Sequence, residues 1–176
     1  MTTLRGRWAQ GLEPRGFCWI VTDRLAASER PGGFARSHRK VRRQEELIWL
    51  VGHGFTRILS LLESPHNLHA YEEAGIGYEH IPLGRHEEWP QSLRAIYASL
   101  AGWLAVPGER VLIHHEEFGE RLVGVLAGYL IYTGVLLEGP HAIVAMEKMT
   151  GRELGSVGRE IVATVVDEQI KGYQAP

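Results

Sequence analysis

The apolar positions of this chain fall into two kinds of segment, short runs of strand length and longer stretches with helical spacing. The short runs predict strands at residues 17–21, 57–62, 78–82 and 110–113. Residues 25–26 are expected to continue the first strand along the edge of the sheet. The longer stretches predict helices at residues 41–53, 64–74, 90–106, 121–136, 140–149 and 156–170.

This alternation of strands and helices predicts an α/β fold with a small central sheet. The sheet should be mostly parallel and flanked by helices on both sides. A length of 176 residues suits a single domain over residues 1–176 with one core. Ligands of such sheets bind beyond the carboxyl ends of the strands. That rule directs attention to the loops at residues 83–89 and 114–120.

Composition narrows the classes of partner and location. The chain carries 19 basic and 21 acidic residues, a net charge of -2, which argues against nucleic acid as a partner. Its single cysteine, Cys18, excludes an internal disulfide and a thiolate-rich metal site. The longest apolar stretch, residues 122–137, is interrupted by glycine, and residues 1–5 contain no apolar segment. We therefore expect a cytoplasmic protein without a membrane partner.

The loop after the last predicted strand carries a specific pattern. Residues 111–121 read VLIHHEEFGER. They resemble the signature of cysteine-dependent phosphatases, which is a strand, His-Cys, five residues and an Arg that begins a helix. His114 matches the family His and Arg121 the family Arg. His115 stands at the position of the catalytic Cys.

Other segments extend the resemblance to the small dual-specificity phosphatases of the protein tyrosine phosphatase superfamily. Residues 17–27 are similar to their opening strand, and residues 59–63 to the next strand with its Glu. Ile81-Pro82 matches the dipeptide before their general-acid loop, and Ala142-Ile143 a later helix. The resemblance covers about residues 17–159 and leaves residues 1–16 as an N-terminal extension. It implies a dual-specificity-phosphatase-like fold.

The resemblance also implies a mechanism that this chain lacks the groups to perform. The family uses a thiolate nucleophile at a helix N-terminus and an Asp general acid on the neighbouring loop. Here Leu83 stands at the Asp position, and Leu122 replaces the Ser or Thr that follows the Arg. Cys18 lies on the opening strand and cannot replace the missing thiol. The chain is thus identified as a degenerate member without cysteine-dependent phosphatase activity.

The loop is also unusually acidic, because Glu116, Glu117 and Glu120 replace small residues. Carboxylates pointing into a phosphate cradle would repel a dianion. We interpret the chain as a pseudophosphatase, a binding or regulatory module that holds a protein or small-molecule ligand in its altered pocket. The residues expected to face that ligand are Arg121, His114 and Trp89, although Trp89 could equally pack its loop down.

Two alternatives give the same loops a catalytic role. The first is a metal-dependent enzyme, because imidazole and carboxylate are ligands of Zn, Mn and Fe. Its candidate ligands are His86, Glu87, Glu88, His115, Glu116 and Glu117. The second is phosphoryl transfer through His115. Against both, the carboxylates could simply be solvated residues at a helix N-terminus, where the dipole favours acid.

A basic stretch over residues 36–43 is a second candidate surface. It could bind phosphate groups, RNA or an acidic protein. It could also be a solvated entry to the following helix, balanced by Glu45 and Glu46. The absence of interleaved aromatic residues argues against single-stranded nucleic acid.

Overall fold

The computed structural model describes residues 10–173, so the first nine residues of the predicted extension lie outside the described residues. Its strands are β1 (Cys18–Val21), β2 (Leu25–Glu29), β3 (Arg57–Ser60), β4 (Gly77–His80) and β5 (Val111–His115). Its helices are α1 (Lys40–Gly52), α2 (His69–Glu73), α3 (Trp89–Leu104), α4 (Glu120–Tyr132), α5 (Gly139–Thr150) and α6 (Ser156–Asp167). Short 3₁₀ turns lie at Ala35–Ser37 and His86–Glu88.

The strands form one sheet in the order β1-β2-β5-β3-β4. Only β1 runs antiparallel to its neighbour, and the other pairs are parallel. This confirms the predicted α/β class and the mostly parallel sheet. β5 lies in the centre, so the loop after His115 opens at the middle of the carboxyl edge.

Alternation along the central strands divides the core into two clusters, one on each face of the sheet. Leu59 and Ile113 pack with α3, α4, α5 and α6. Ile58 and Leu112, each one residue away, pack with α1 and α2 on the opposite face. A strand turns successive side chains to opposite faces, so an unbroken apolar run buries both.

Two predicted elements were wrong. Residues 25–26 do not continue an edge strand but begin β2, which is buried throughout between β1 and β5. The sequence LAASE lacks the β-branched residues that mark strands, which explains the error. The helix expected from residue 64 begins only at His69, because Asn67 adopts a left-handed φ of 65°.

No helix of the described region is both long and apolar enough to cross a lipid bilayer. The most apolar helix, α4, has thirteen residues and is covered by α5 and α6.

Candidate functional site

The loop between β5 and α4 forms a depression of about 300 Å³ at the centre of the carboxyl edge. Its lining residues are Phe34, His115, Glu116, Glu117, Gly119, Glu120 and Arg121. Phe118 anchors the loop from below, since its side chain is buried and Arg152 covers the ring at 4.7 Å. The bulky residue of the loop therefore packs into the core rather than filling the depression.

His114 lies directly under this loop and is fully buried. Its Nδ1 is 3.2 Å from the His115 carbonyl, which can only accept, so Nδ1 carries the proton. Nε2 then accepts from the Tyr71 hydroxyl at 2.9 Å. Both ring nitrogens are therefore engaged by groups beneath the loop. Because the ring is buried, it does not line the depression with Arg121.

The burial of His114 predicts how the free energy of unfolding depends on pH. Burial lowers its pKa from 6.5 to about 3, so the unfolded chain binds a proton between these values and the folded chain does not. The free energy of unfolding should therefore fall as pH decreases through this window. In His114→Gln, the free energy of unfolding should decrease less steeply with falling pH than in the wild type, by up to about 1.4 kcal/mol per pH unit.

Urea unfolding between pH 4 and pH 7 measures the change of the free energy of unfolding with pH. Only this slope is compared, so a difference in absolute stability between the variants does not affect the result. His141→Gln is the matched control, because that side chain is 69% exposed. Equal slopes in the two variants would contradict this account of His114.

His115 occupies the predicted nucleophile position at the end of β5. Its Nε2 is buried and has no hydrogen-bond partner among the described residues. Burial lowers the pKa of the ring, and the nearby Arg121 guanidinium lowers it further. The imidazole is therefore neutral at pH 7, with an unengaged ring nitrogen at the site.

The loop retains the donors of an anion cradle. No backbone N–H of residues 116–121 donates to an acceptor in the described part of the chain. These amides precede and open α4, where the helix dipole favours negative charge. Arg121 lies in the first turn, and its guanidinium makes no ion pair within residues 10–173. These donors are therefore available to a ligand.

Glu116 is paired with Arg30, a residue that the sequence analysis did not single out. The Arg30 Nη1 lies 3.4 Å from both Glu116 carboxylate oxygens, and Nη2 donates to the His66 carbonyl at 2.6 Å. The Arg30 amide also donates to the Glu116 carbonyl at 3.3 Å. Nothing in the local pattern beside Pro31-Gly32-Gly33 identifies Arg30 as a partner of a distant loop.

Glu120 has a different partner, at the start of α6. Its Oε2 accepts from the Gly158 amide at 3.4 Å, and the N-cap residue Gly155 supplies no side-chain bond there. Glu120 thus serves as a cap contributed by another helix. Glu117 is exposed beside Gly119 and keeps its carboxylate in solvent. Two of the three carboxylates thus have partners within the protein, while all three residues remain among those that line the depression.

The other predicted loop, residues 83–89, does not join this site. Leu83, at the general-acid position, is fully buried. Trp89 is only 3% exposed and donates to the Gly84 carbonyl at 3.3 Å, so it packs the loop down. His86 and Glu87 line a separate depression beside α6. The intervening β3 explains this, since two strand spacings of about 10 Å separate β4 from β5.

The proposed metal ligands are divided accordingly. His86 and Glu87 belong to one depression, whereas His115, Glu116 and Glu117 belong to the other. Across the described residues, no group of three or more His, Cys, Asp or Glu side chains is placed to hold a metal ion. The geometry therefore gives the metal-dependent alternative no support.

Cys18 lies on β1, level with Ala27 of β2 and hence with Ile113 of β5. Two strand spacings, about 10 Å, separate it from β5. Its thiol contacts the Met149 carbonyl at 3.4 Å, and burial raises its pKa. A thiol that resists ionisation and lies on β1, two strands from β5, is poorly placed to act as a nucleophile at the depression.

Comparison with protein-family models and with curated proteins finds no match. Solved structures do match. Kinase associated phosphatase with its catalytic cysteine replaced by serine superposes with a TM-score of 0.72 at 18% identity, covering 92% of this chain and 98% of that one. Tk-PTP in its active form gives 0.67 at 20% identity, covering 88% and 98%. TpbA of P. aeruginosa, a cysteine-to-serine variant in complex with pTyr, gives 0.64 at 18%, covering 96% of each chain.

These similarities identify the fold. The chain has the fold of protein tyrosine and dual-specificity phosphatases, as the signature around His114 and Arg121 predicted. The loop described above is the one that matches their signature in sequence. Sequence identities of 18–20% support a shared fold but do not support a shared reaction.

Proposed function

We propose that this chain is a phosphatase-fold binding module that holds an anionic group in the loop of residues 115–121 without hydrolysing it. One observation carries the proposal: the loop amides and Arg121 are free to bind, while a neutral imidazole stands in place of the thiolate. An oxyanion such as a phosphate ester or a carboxylate would accept from these amides and from the planar fork of Arg121.

A bound phosphate ester would remain unhydrolysed because the loop lacks the thiolate and the general acid that the resemblance implies. Transfer needs a nucleophile and a proton for the leaving oxygen. Leu83 is apolar and buried at the position that the resemblance assigns to the acid, so the leaving oxygen has no proton donor from that position. Glu116 and Glu120, which could have acted instead, are bonded to Arg30 and to the Gly158 amide.

A second candidate is phosphoryl transfer through His115. The place of His115 in the lining of the depression and its lowered pKa favour it, because a neutral imidazole keeps a lone pair on one ring nitrogen. That lone pair would attack phosphorus, and the leaving oxygen would depart with its electron pair. The reaction would then be confined to esters whose leaving group needs no proton.

Turnover of p-nitrophenyl phosphate separates the two candidates. We expect wild type, His115→Ala and the matched control His86→Ala to release no p-nitrophenolate above a protein-free blank. His86 is exposed in the other loop and should not matter. Turnover in wild type and His86→Ala that is lost in His115→Ala would overturn the binding-only proposal and establish the second candidate.

A further inference from the structure

A second cavity lies between α1 and α2, on the face of the sheet that carries Ile58 and Leu112. This α1–α2 groove has a volume of about 820 Å³ and shares no lining residue with the depression at Arg121. Such a volume is within the range of small-molecule sites. It is lined along α1 by Lys40, Arg43, Leu47, Ile48 and Val51.

The α2 side of the groove adds Asn67, His69, Ala70, Glu73 and Ala74, and the five α1 residues make its α1 wall basic at one end and apolar at the other. Their spacing places them on one face of α1, with the two cations in the first turn and the apolar residues after them. Eleven residues of helix correspond to about 16 Å. Ile48 and Val51 are 46% and 49% exposed, so apolar surface lies open along the groove.

The first turn of α1 is electrostatically incomplete. It contains Lys40, Arg42 and Arg43, no acidic residue and no side-chain cap from Arg39. Positive charge at a helix N-terminus opposes the helix dipole, and the first amides lack acceptors. An anion bound at this end would relieve both costs.

Arg43 supplies an independent observation. Its side chain is buried, 8% exposed, and its Nε has no hydrogen-bond partner among residues 10–173. Its described side-chain contact is with His38 Nε2 at 3.2 Å. The carboxylates of Glu29 and Glu46 bond Arg42 instead, at 3.2 and 2.7 Å. Burying a guanidinium without a carboxylate partner is costly.

We propose that the α1–α2 groove binds an amphipathic anion, with a carboxylate or phosphate head against Lys40 and Arg43 and an apolar chain along Leu47, Ile48 and Val51. The head supplies the missing counter-charge, and the chain covers the exposed apolar residues. This site is independent of the anion loop at Arg121. It also gives the basic stretch of residues 36–43 a specific role at its helical end.

The probes for the α1–α2 groove are decanoate and decyl phosphate, titrated by calorimetry below their micelle concentrations. Decyltrimethylammonium is the matched probe with the same chain and the opposite charge. Each is titrated into wild type and into Arg121→Met, so that binding at the anion loop is separated. We expect a saturable site for decanoate, decyl phosphate or both that Arg121→Met retains, and at least about tenfold weaker binding of the cation at that site.

Variants locate the site. Lys40→Met and Ile48→Asp, both at exposed positions, should each raise the Kd about tenfold, and Arg43→Met should raise it further. Lys148→Met, which removes an exposed charge from α5, should leave it unchanged. No binding of either anion, equal binding of the cation, or an unchanged Kd in both Lys40→Met and Ile48→Asp would overturn the proposal.

Discussion

Replacing Arg121 by Met should abolish the rise in melting temperature that inorganic phosphate or sulfate gives to the wild-type protein. Met keeps an unbranched chain of similar length but removes the fork of donors. Each hydrogen bond to a charged group contributes about 1.5–3 kcal/mol, so the loss of one or two corresponds to at least tenfold weaker binding. The melting temperature as a function of anion concentration measures the effect.

Lys148→Met is the control for removing one positive charge, since that side chain is exposed on α5 and is not among the residues that line the depression. It should keep the wild-type response to phosphate. A response that survives in Arg121→Met would show that this guanidinium does not hold the anion, and would leave the loop amides or the Lys40 and Arg43 end of the α1–α2 groove as the donors.

The second large effect concerns the support of the loop by the α4–α6 contact. A methyl group at Gly124 would lie 2.8 Å from the Gly158 carbonyl oxygen and 2.9 Å from its Cα. Backbone atoms cannot yield as a flexible side chain can, so the two helices would have to separate. We expect Gly124→Ala to lower the free energy of unfolding by about 3 kcal/mol.

The matched control is Gly102→Ala on α3, where an added methyl group would meet nothing within 4 Å. Alanine is the better helix former, so this variant should be more stable than wild type by about 0.5–1 kcal/mol. Chemical denaturation of both variants measures the two opposite changes. If Gly124→Ala were as stable as Gly102→Ala, the close approach of α4 and α6 would not require glycine.

The same contact connects stability to the site. Glu120 begins α4, bonds the Gly158 amide of α6 and lies next to Arg121. Separation of the helices would therefore shift the turn that carries the guanidinium. Gly124→Ala should consequently weaken the response to phosphate as well as the fold.

Much of the fold could be predicted from local sequence, because each central strand and long helix buries its own apolar pattern. Ile58 and Leu59 on β3 occupy opposite faces, as an unbroken run requires. β2 could not be predicted in the same way. Its alanines and its buried Glu29 are tolerated only because neighbouring strands and Arg42 surround them.

The site was predicted less completely, because its contacts join distant segments. The position of His115 and Arg121 on one loop follows from the signature, and the structure brings both to one depression. The pairing of Glu116 with Arg30 and of Glu120 with Gly158 depends on how loops meet in space. The strand order, with β3 between β4 and β5, likewise separates His86 from His115.

The structure changes the interpretation of the acidic loop at residues 116–120. In sequence, Glu116, Glu117 and Glu120 suggest a pocket that has lost its preference for anions. In the structure, the first and third are bonded elsewhere, and Glu117 is exposed. Two of the three carboxylates thus have partners within the protein, while the loop amides have no acceptor among residues 10–173.

The most direct test of the central claim is a ³¹P NMR titration of phosphotyrosine with the wild-type protein, because one spectrum reports both binding and hydrolysis. We expect a saturable change in the ³¹P chemical shift or line width of phosphotyrosine, with no inorganic phosphate appearing over the course of the titration. Growth of an inorganic phosphate resonance, or an ester resonance that stays unperturbed at excess protein, would contradict it.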